Sequence, residues 1–196
     1  MGFWEGAVED LERAAVKAAQ TAVDGYGLVE LPGVYAGKKI LLTGHTGFKG
    51  AWLALWLQEL GARVCGLALE PDKEALFLAA GIGAGMHDHC VVDIRDATAV
   101  QHELQRLRPE IVFHLAAQAL VRDGYAEPLA TFAVNAQGTV NVLEALRHVD
   151  TVRVIVAVTT DKVYRNLEQR RAFCEDDELG GHDPYSASKA AAEMAI

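Results

Sequence analysis

The chain has 196 residues, of which 51% are hydrophobic, enough for one sizeable domain with a buried core. Its formal net charge of −9 argues against nucleic acid as a partner, because a surface that tracks phosphates needs a basic patch. No apolar run approaches membrane-spanning length, and three widely spaced cysteines without a C-x-x-C motif indicate a reduced, cytoplasmic protein.

The first 37 residues predict an extension outside the main domain. Residues 5–22 carry apolar side chains at helical spacing, which predicts an Ala-rich amphipathic helix. The following stretch, "DGYGLVELPGVYAGKK", holds four glycines and one proline and predicts a linker. We interpret the extension as an appendage, with a docking role as the alternative. Its acidic start lacks the basic-then-apolar layout of a signal peptide.

From residue 38 onward, apolar runs alternate with helical patterns. The runs predict five strands, at 40–43, 63–69, 90–93, 111–115 and 152–158. The intervening patterns predict helices at 48–59, 96–107 and 128–148, and one that begins at Pro184. Short apolar strands separated by helices are typical of a parallel sheet covered on both faces. The sequence therefore predicts an α/β, doubly wound (Rossmann-like) domain over residues 38–196.

A glycine-rich stretch, "TGHTGFKG", directly follows the first predicted strand. It is not a P-loop, because Lys49 precedes the last glycine and Ala51 follows it. The spacing of Gly44, Gly47 and Gly50 fits a dinucleotide turn, in which glycines permit a tight turn, close approach of a pyrophosphate and helix packing. Alone, the pattern leaves a plain tight turn equally open.

Three later stretches favour the dinucleotide interpretation. "DPYSASKAAAE" places Tyr185 and Lys189 four residues apart, on one face of a helix. A neighbouring ammonium and an oxidised nicotinamide both favour the phenolate of a tyrosine, which makes it a usable base near neutral pH. "TTDKVY" follows the fifth predicted strand, at the sheet edge where α/β folds bind ligands. Asp93 ends the third predicted strand, close to where an adenine would lie.

The stretch "HDHC", residues 87–90, raises the question of a metal site. Two histidines two residues apart need an extended backbone and a third ligand to hold a metal. An entry into the third strand is the favoured interpretation, so the sequence predicts no metal site.

Together these residues resemble the extended short-chain dehydrogenase/reductase family of nucleotide-sugar enzymes. The matching text covers about residues 38–196 and includes "TGHTGFKGAWLALWL", "PEIVFHLAAQALVRDGYAEPL", "NAQGTVNVLEA" and "GGHDPYSASKAAAE". His45, the Phe48–Lys49 pair and the Asp161–Lys162 pair point to the branch of 4,6-dehydratases that act on CDP-glucose.

The resemblance implies NAD as cofactor and a nucleotide sugar, CDP-glucose, as substrate. Tyr185, assisted by Lys189, would take the proton from O4, and Thr160 would hold that oxygen. Asp161 would be the acid for the departing C6 hydroxyl. Lys162 stands where related dTDP-glucose enzymes have a glutamate that removes the C5 proton, and a lysine serves as a base when it is buried beside another ammonium such as that of Lys189.

The resemblance also implies a set of cofactor-binding residues. They are Gly44, Thr46, Gly47, Phe48, Lys49, Gly50, Glu70, Asp93, Ile94, Ala116, Ala117, Gln118, Asn135, Tyr185 and Lys189. Arg122 and Tyr125 line the sugar pocket or merely solvate a loop. The family further implies a homodimer in the full-length form and a role in deoxysugar and lipopolysaccharide (O-antigen) biosynthesis.

Two departures from the family pattern leave alternatives open. Where many relatives carry an aspartate for the adenosine ribose, this chain has Ala68, and Glu70 stands two residues further on, so the choice between NAD and NADP stays open. The sequence stops at Ile196, within the helix that carries Tyr185. A truncated, inactive NAD-binding remnant, or another epimerase or dehydratase of the family, are therefore the alternative functions.

Overall fold

The computed structural model describes residues 31–168 and 171–196, and its centre is one five-stranded parallel sheet. The strands are β1 (Lys39–Thr43), β2 (Arg63–Ala68), β3 (Asp88–Val91), β4 (Ile111–His114) and β5 (Val154–Ala157). Their order across the sheet is β3-β2-β1-β4-β5, which places the chain reversal between β1 and β4. This arrangement confirms the predicted doubly wound sheet.

Eight α-helices connect and cover the strands within the described residues. They are α1 (Leu31–Tyr35), α2 (Phe48–Glu59), α3 (Leu76–Ala79), α4 (Ala97–Leu107), α5 (Val121–Ala126), α6 (Pro128–Phe132), α7 (Thr139–Leu146) and α8 (Pro184–Glu193). A π-helical segment (Ala133–Gly138) joins α6 to α7, and 3₁₀ turns occupy Ile82–Gly85 and Asp161–Val163. No helix in this part of the chain combines the length and the apolar character needed to cross a membrane.

The two faces of the sheet carry separate apolar cores. On one face, Leu41, Cys65 and Val112 pack against α4 and α7. On the other, Ile40 and Leu42 pack against α2 and α3. Consecutive residues of β1 thus point to opposite cores, as a strand that is buried on both faces requires.

Helix boundaries follow capping residues that the sequence already shows. The Asp96 carboxylate accepts the N–H of Ala99 at 3.0 Å and opens α4, which ends where Arg108 turns left-handed at φ 47°. The Asp183 carboxylate accepts the N–H of Ser186 at 2.9 Å and opens α8, with Pro184 at the first helical position.

Several predicted boundaries are wrong. The third strand begins at Asp88 and ends at Val91, so Asp93 lies beyond it. The fifth strand, β5, is shorter than predicted. The single helix predicted over 128–148 is divided by the π-helical segment. Part of the predicted linker is α1, where contact between the rings of Tyr35 and Phe113 (centroids 6.4 Å apart) ties the segment to the core. Tertiary packing overrides the turn-forming composition there. The helix predicted at 5–22 lies outside the described residues.

Candidate active site

One cavity of about 560 Å³ lies at the carboxyl edge of the sheet. The register pairs Thr43 of β1 with Leu67 of β2 and with His114 of β4, so these three strands end together beside the cavity. The glycine turn forms one wall and α8 contributes Tyr185 and Lys189 to another. Carboxyl edges of this kind, at the point where strand order reverses, are where open α/β sheets bind ligands.

The glycine turn requires glycine at two of its three positions. Gly44 adopts φ +75°, and a Cβ there would lie 2.8 Å from the backbone nitrogen of Ala116. A Cβ at Gly50 would lie 2.0 Å from the carbonyl oxygen of Gly44. At Gly47 the nearest atom would be 3.4 Å away, an ordinary contact, so that position is open towards the cavity. Gly47 precedes α2 and has no side chain to cap it, and the first-turn residues Phe48 and Lys49 line the cavity, so the N–H groups at the start of the helix are available to an anion.

Lys189 is buried beneath the cavity, with only 4% of its surface exposed. Its ammonium donates a hydrogen bond to the carbonyl oxygen of Val158 at 2.9 Å. Burial lowers the pKa of Lys189, and the charge of Glu193 opposes that shift. Tyr185 is half-buried on the same helix face and also lines the cavity, close against Gly124 of α5.

The residues proposed to act at C5 and C6 lie beside the cavity rather than on its lining. The Thr160 hydroxyl donates to the Asp161 carboxylate at 3.2 Å and accepts the N–H of Lys162 at 3.3 Å. Asp161 and Lys162 are both exposed, so the expectation that Lys162 is buried is wrong for this structure. The 3₁₀ turn that carries them is anchored by Val163, and its outer side chains face solvent. Thr159 lines the cavity instead, with its hydroxyl bonded to the Glu193 carboxylate.

The loop after β4 is held in place by a buried side chain. Ala116 and Ala117 line the cavity, but Gln118 and Asn135 do not. Asn135 is fully buried; its Oδ1 accepts the Gln118 N–H at 2.8 Å and its Nδ2 donates to the Gln118 carbonyl at 3.0 Å. These two residues shape the loop and make no direct contact with the cavity, which corrects their expected position.

The far end of the cavity is formed by residues that follow β2 and β3. Asp93 and Ile94 line it as expected, and Arg95 donates to both carboxylate oxygens of Asp93 at 3.0 and 2.9 Å. That hydrogen bonding lowers the pKa of Asp93. Glu70 is exposed and does not line the cavity, because the chain has already turned away from the sheet; Leu69 occupies the lining there.

The remaining predicted residues divide between the lining and the surface. Thr46, Phe48 and Lys49 line the cavity. Arg122 and Tyr125 lie on α5, are exposed and do not line it.

Sequence reasoning missed several lining residues. They are Leu69, Val92, Arg95, Leu115, Ala119, Val134 and Val158. Most of them directly follow or end a strand, and this position was the only available signal. No cluster of three or more metal-binding side chains occurs in residues 31–168 and 171–196.

Comparison with known proteins identifies the family of this chain. The family model described as GDP-mannose 4,6 dehydratase matches residues 41–196. The chain belongs to this family. A curated relative, CDP-glucose 4,6-dehydratase of Salmonella typhimurium, is 44% identical over 161 residues, covering 82% of this chain and 45% of that protein. A dTDP-glucose 4,6-dehydratase of Xanthomonas campestris is 34% identical, covering 80% of this chain and 47% of that protein.

The fold is shared with solved structures of related proteins. The UDP-glucose 4-epimerase of Thermus thermophilus, solved as a complex with NAD, superposes with a TM-score of 0.69 at 31% identity, covering 80% of this chain and 49% of that one. The predicted resemblance to nucleotide-sugar dehydratases is therefore confirmed. The chain spans about half the length of the curated relatives it matches.

The cavity fits a dinucleotide on the geometry of this chain alone. A side chain at Gly44 or Gly50 would collide with backbone, and Gly47 leaves the start of α2 open to an anionic group. An anion at a helix N-terminus, cradled by glycines, is the arrangement that binds a pyrophosphate.

Proposed function

We propose that this chain is the cofactor-binding part of a nucleotide-sugar 4,6-dehydratase that takes CDP-glucose and NAD. The observation that carries the proposal is that the glycine turn and the Tyr185–Lys189 pair line one cavity. The 44% identity to a CDP-glucose 4,6-dehydratase supports this nucleotide sugar over others. Formation of CDP-4-keto-6-deoxyglucose from CDP-glucose, with UDP-glucose, dTDP-glucose and GDP-mannose as competitors, tests the assignment.

The residues that would hold NAD are distributed along the whole cavity. The glycine turn would receive the pyrophosphate, Asp93 and Ile94 the adenine end, and Ala116 and Ala117 the middle of the dinucleotide. When bound there, NAD would supply a hydride acceptor and, once reduced, a hydride donor. Ala68, in place of an acidic side chain, leaves the ribose end without a carboxylate from β2, so NADP is the competing ligand to titrate.

Tyr185 is proposed to take the proton from the sugar O4. The ammonium of Lys189 is buried on the same helix face, and both side chains belong to the same cavity. The Val158 carbonyl keeps Lys189 oriented along the cavity floor. Thr160 begins the 3₁₀ turn at the end of β5 and is proposed to hold O4 as the ketone forms.

Asp161 is proposed as the acid for the C6 hydroxyl and Lys162 as the base for the C5 proton. Their support is position, since the turn that carries them packs its Val163 inward and follows directly from the cavity-lining Val158 and Thr159. Both side chains reach solvent in this structure, so substrate has to cover them for the dehydration to proceed.

Single-turnover measurements separate the two halves of the chemistry. We expect Asp161→Asn to accumulate reduced nicotinamide with CDP-glucose while 6-deoxy product falls about a hundredfold or more, since a general acid is lost. Tyr185→Phe should give no reduced nicotinamide at all. Both are run in the 196-residue chain and in the same chain extended to the length of its relatives. In the extended chain, product at the parent rate, or no reduced nicotinamide, from Asp161→Asn would contradict the role given to Asp161.

A binding piece without turnover is the second candidate. The exposure of Asp161 and Lys162, and the absence of Arg122 and Tyr125 from the cavity lining, favour it for these 196 residues. It predicts NAD binding without product from the chain alone, and product once the chain is extended.

We also propose that the full-length form is a homodimer that works in the cytoplasm, in deoxysugar and lipopolysaccharide biosynthesis. Support for association comes from large apolar side chains exposed along α6 and α7, at Leu129, Phe132 and Val140. Sedimentation of the extended chain as a monomer at micromolar concentration would contradict the dimer.

A further inference from the structure

A chain of buried polar side chains connects the end of β1 to the helix that carries Tyr185. Thr43, His114, Thr139, Asn135 and Ser188 are all buried, and each is hydrogen-bonded to the next. The bonds span strands β1 and β4, the π-helical segment and α8. A buried polar network stabilises the fold most when every donor and acceptor in it has a partner. Each hydroxyl carries one proton and a neutral histidine ring carries one, so counting these protons gives the direction of each hydrogen bond.

Among residues 31–168 and 171–196, the proton of the Thr43 hydroxyl has one acceptor within hydrogen-bond distance. Its hydroxyl oxygen already accepts the N–H groups of Leu115 and Ala116, each at 3.1 Å. The hydroxyl therefore donates its own proton to Nδ1 of His114, 2.7 Å away. Nδ1 is consequently an acceptor and carries no proton.

The other ring nitrogen of His114 is thereby the donor. Nε2 lies 3.1 Å from the Thr139 hydroxyl, and that hydroxyl donates its proton to the Asn135 carbonyl at 2.7 Å. The hydrogen bonds at the two ring nitrogens are consistent with each other, because a neutral imidazole with its proton on Nε2 accepts from Thr43 and donates to Thr139. Burial first, and the charge of Lys189 second, lower the pKa of His114 to about 4, which keeps the ring neutral.

The backbone that this arrangement holds is a wall of the cavity. Leu115 and Ala116 line it, and the Ala116 nitrogen is the atom that a Cβ at Gly44 would approach to 2.8 Å. A shift of Ala116 therefore disturbs the glycine turn as well. Asn135, at the other end, fixes the Gln118 backbone and donates to Ser188 at 2.9 Å.

We infer that His114, as the neutral tautomer protonated on Nε2, is a positioning residue that clamps the Thr43 hydroxyl against the Leu115–Ala116 backbone and so sets the cavity wall for a dinucleotide. His114 does not line the cavity and acts through Thr43 on one side and Thr139 on the other. This inference rests on the proposed NAD site, but the tautomer is a property of the chain without ligand.

The first test needs no variant that risks misfolding. Long-range ¹H–¹⁵N NMR of the 196-residue chain at pH 7 separates the two neutral tautomers, and sequential backbone assignment identifies the His114 ring among those of the seven histidines. We expect an unprotonated Nδ1 and a protonated Nε2. A protonated Nδ1 would overturn the inference.

The second test measures the consequence for the cavity. Calorimetric titration with NAD should show a dissociation constant raised about tenfold or more in His114→Phe, which keeps an aromatic ring but forms neither bond. Thr43→Val removes the hydroxyl while keeping the shape, and should weaken NAD similarly. Leu104→Ala shortens a buried side chain of α4 in the apolar core. It is the control for general destabilisation and should bind NAD like the parent.

The outcomes separate this inference from the proposed function. Equal NAD affinity in the parent, His114→Phe and Thr43→Val would overturn the positioning role while leaving the NAD site standing. A parent chain that binds no NAD would refute the proposed function. The tautomer measured by NMR would then decide the inference about His114. If His114→Phe does not fold, Thr43→Val and the NMR signal still decide it.

Discussion

His45 in the glycine turn makes a sharp prediction about acid stability. The residue is 1% exposed, and in the part of the chain that the structure describes neither ring nitrogen has a partner with hydrogen-bond geometry. The ring lies over Gly66, where a Cβ would come within 2.5 Å of Nδ1, and packs edge-on against Phe77 and His89. Burial first, and the charge of His89 second, lower the pKa of His45 from 6.5 to about 4.

The magnitude follows from proton linkage. Because the folded pKa is depressed, the stabilising contribution of a neutral His45 is fully present above pH 6.5 and is lost as the pH falls towards 4. At about 1.4 kcal/mol per pH unit, going from pH 7 to 4.5 removes about 2.5 kcal/mol of unfolding free energy. His114, with its pKa lowered to about 4, removes a similar amount over the same range.

The assay is urea unfolding of parent and His45→Leu at pH 7 and pH 4.5. We expect the parent to lose about 2.5 kcal/mol more than the variant between the two pH values, while losses from carboxylates and from His114 cancel in the comparison. Phe77→Leu perturbs the same packing without removing an imidazole, and should lose as much as the parent. Equal losses in parent and His45→Leu would refute the reasoning.

Three further predictions concern the glycine turn. Gly47→Ala should leave NAD affinity near that of the parent, since a Cβ there meets its nearest atom at 3.4 Å. Gly47→Asp should abolish measurable binding by calorimetry, because a charge about 4 Å from a phosphate opposes it by about 4 kcal/mol at an effective dielectric constant of about 20; unchanged affinity would contradict the phosphate site. Gly50→Ala should lower the urea unfolding free energy by about 1–3 kcal/mol, as its Cβ would lie 2.0 Å from the Gly44 carbonyl, and a wild-type midpoint would show that the turn is not tightly packed.

The order of elements was readable from the sequence because it depends on local signals. Apolar runs such as 40–43 and 111–115 are typical of strands covered on both faces, and Asp96 and Asp183 cap helices through their own neighbours. The Gly44, Gly47 and Gly50 spacing and the Tyr185–Lys189 pair are likewise set within one turn and one helix. These features were predicted, and the structure brings them to one cavity.

The composition of the cavity wall depended on contacts between distant parts of the chain. Thr43 and His114 stand 71 residues apart, and Asn135 meets Ser188 across 53 residues, so no window of sequence shows that these side chains complete one another. Glu70 falls outside the cavity and Leu69 inside because β2 ends at Ala68, where the chain leaves the sheet.

Burial gives the physical reason for this division. Helix and strand patterns follow from a residue's neighbours in sequence, but the desolvation of His45, His114 and Lys189 follows from which elements pack around each of them. The exposure of Lys162 likewise depends on tertiary structure, because the turn that carries it lies at the surface. The sequence alone determined which chemical groups this protein carries and in what order. The tertiary structure decided which of those groups are desolvated and which of them come into contact.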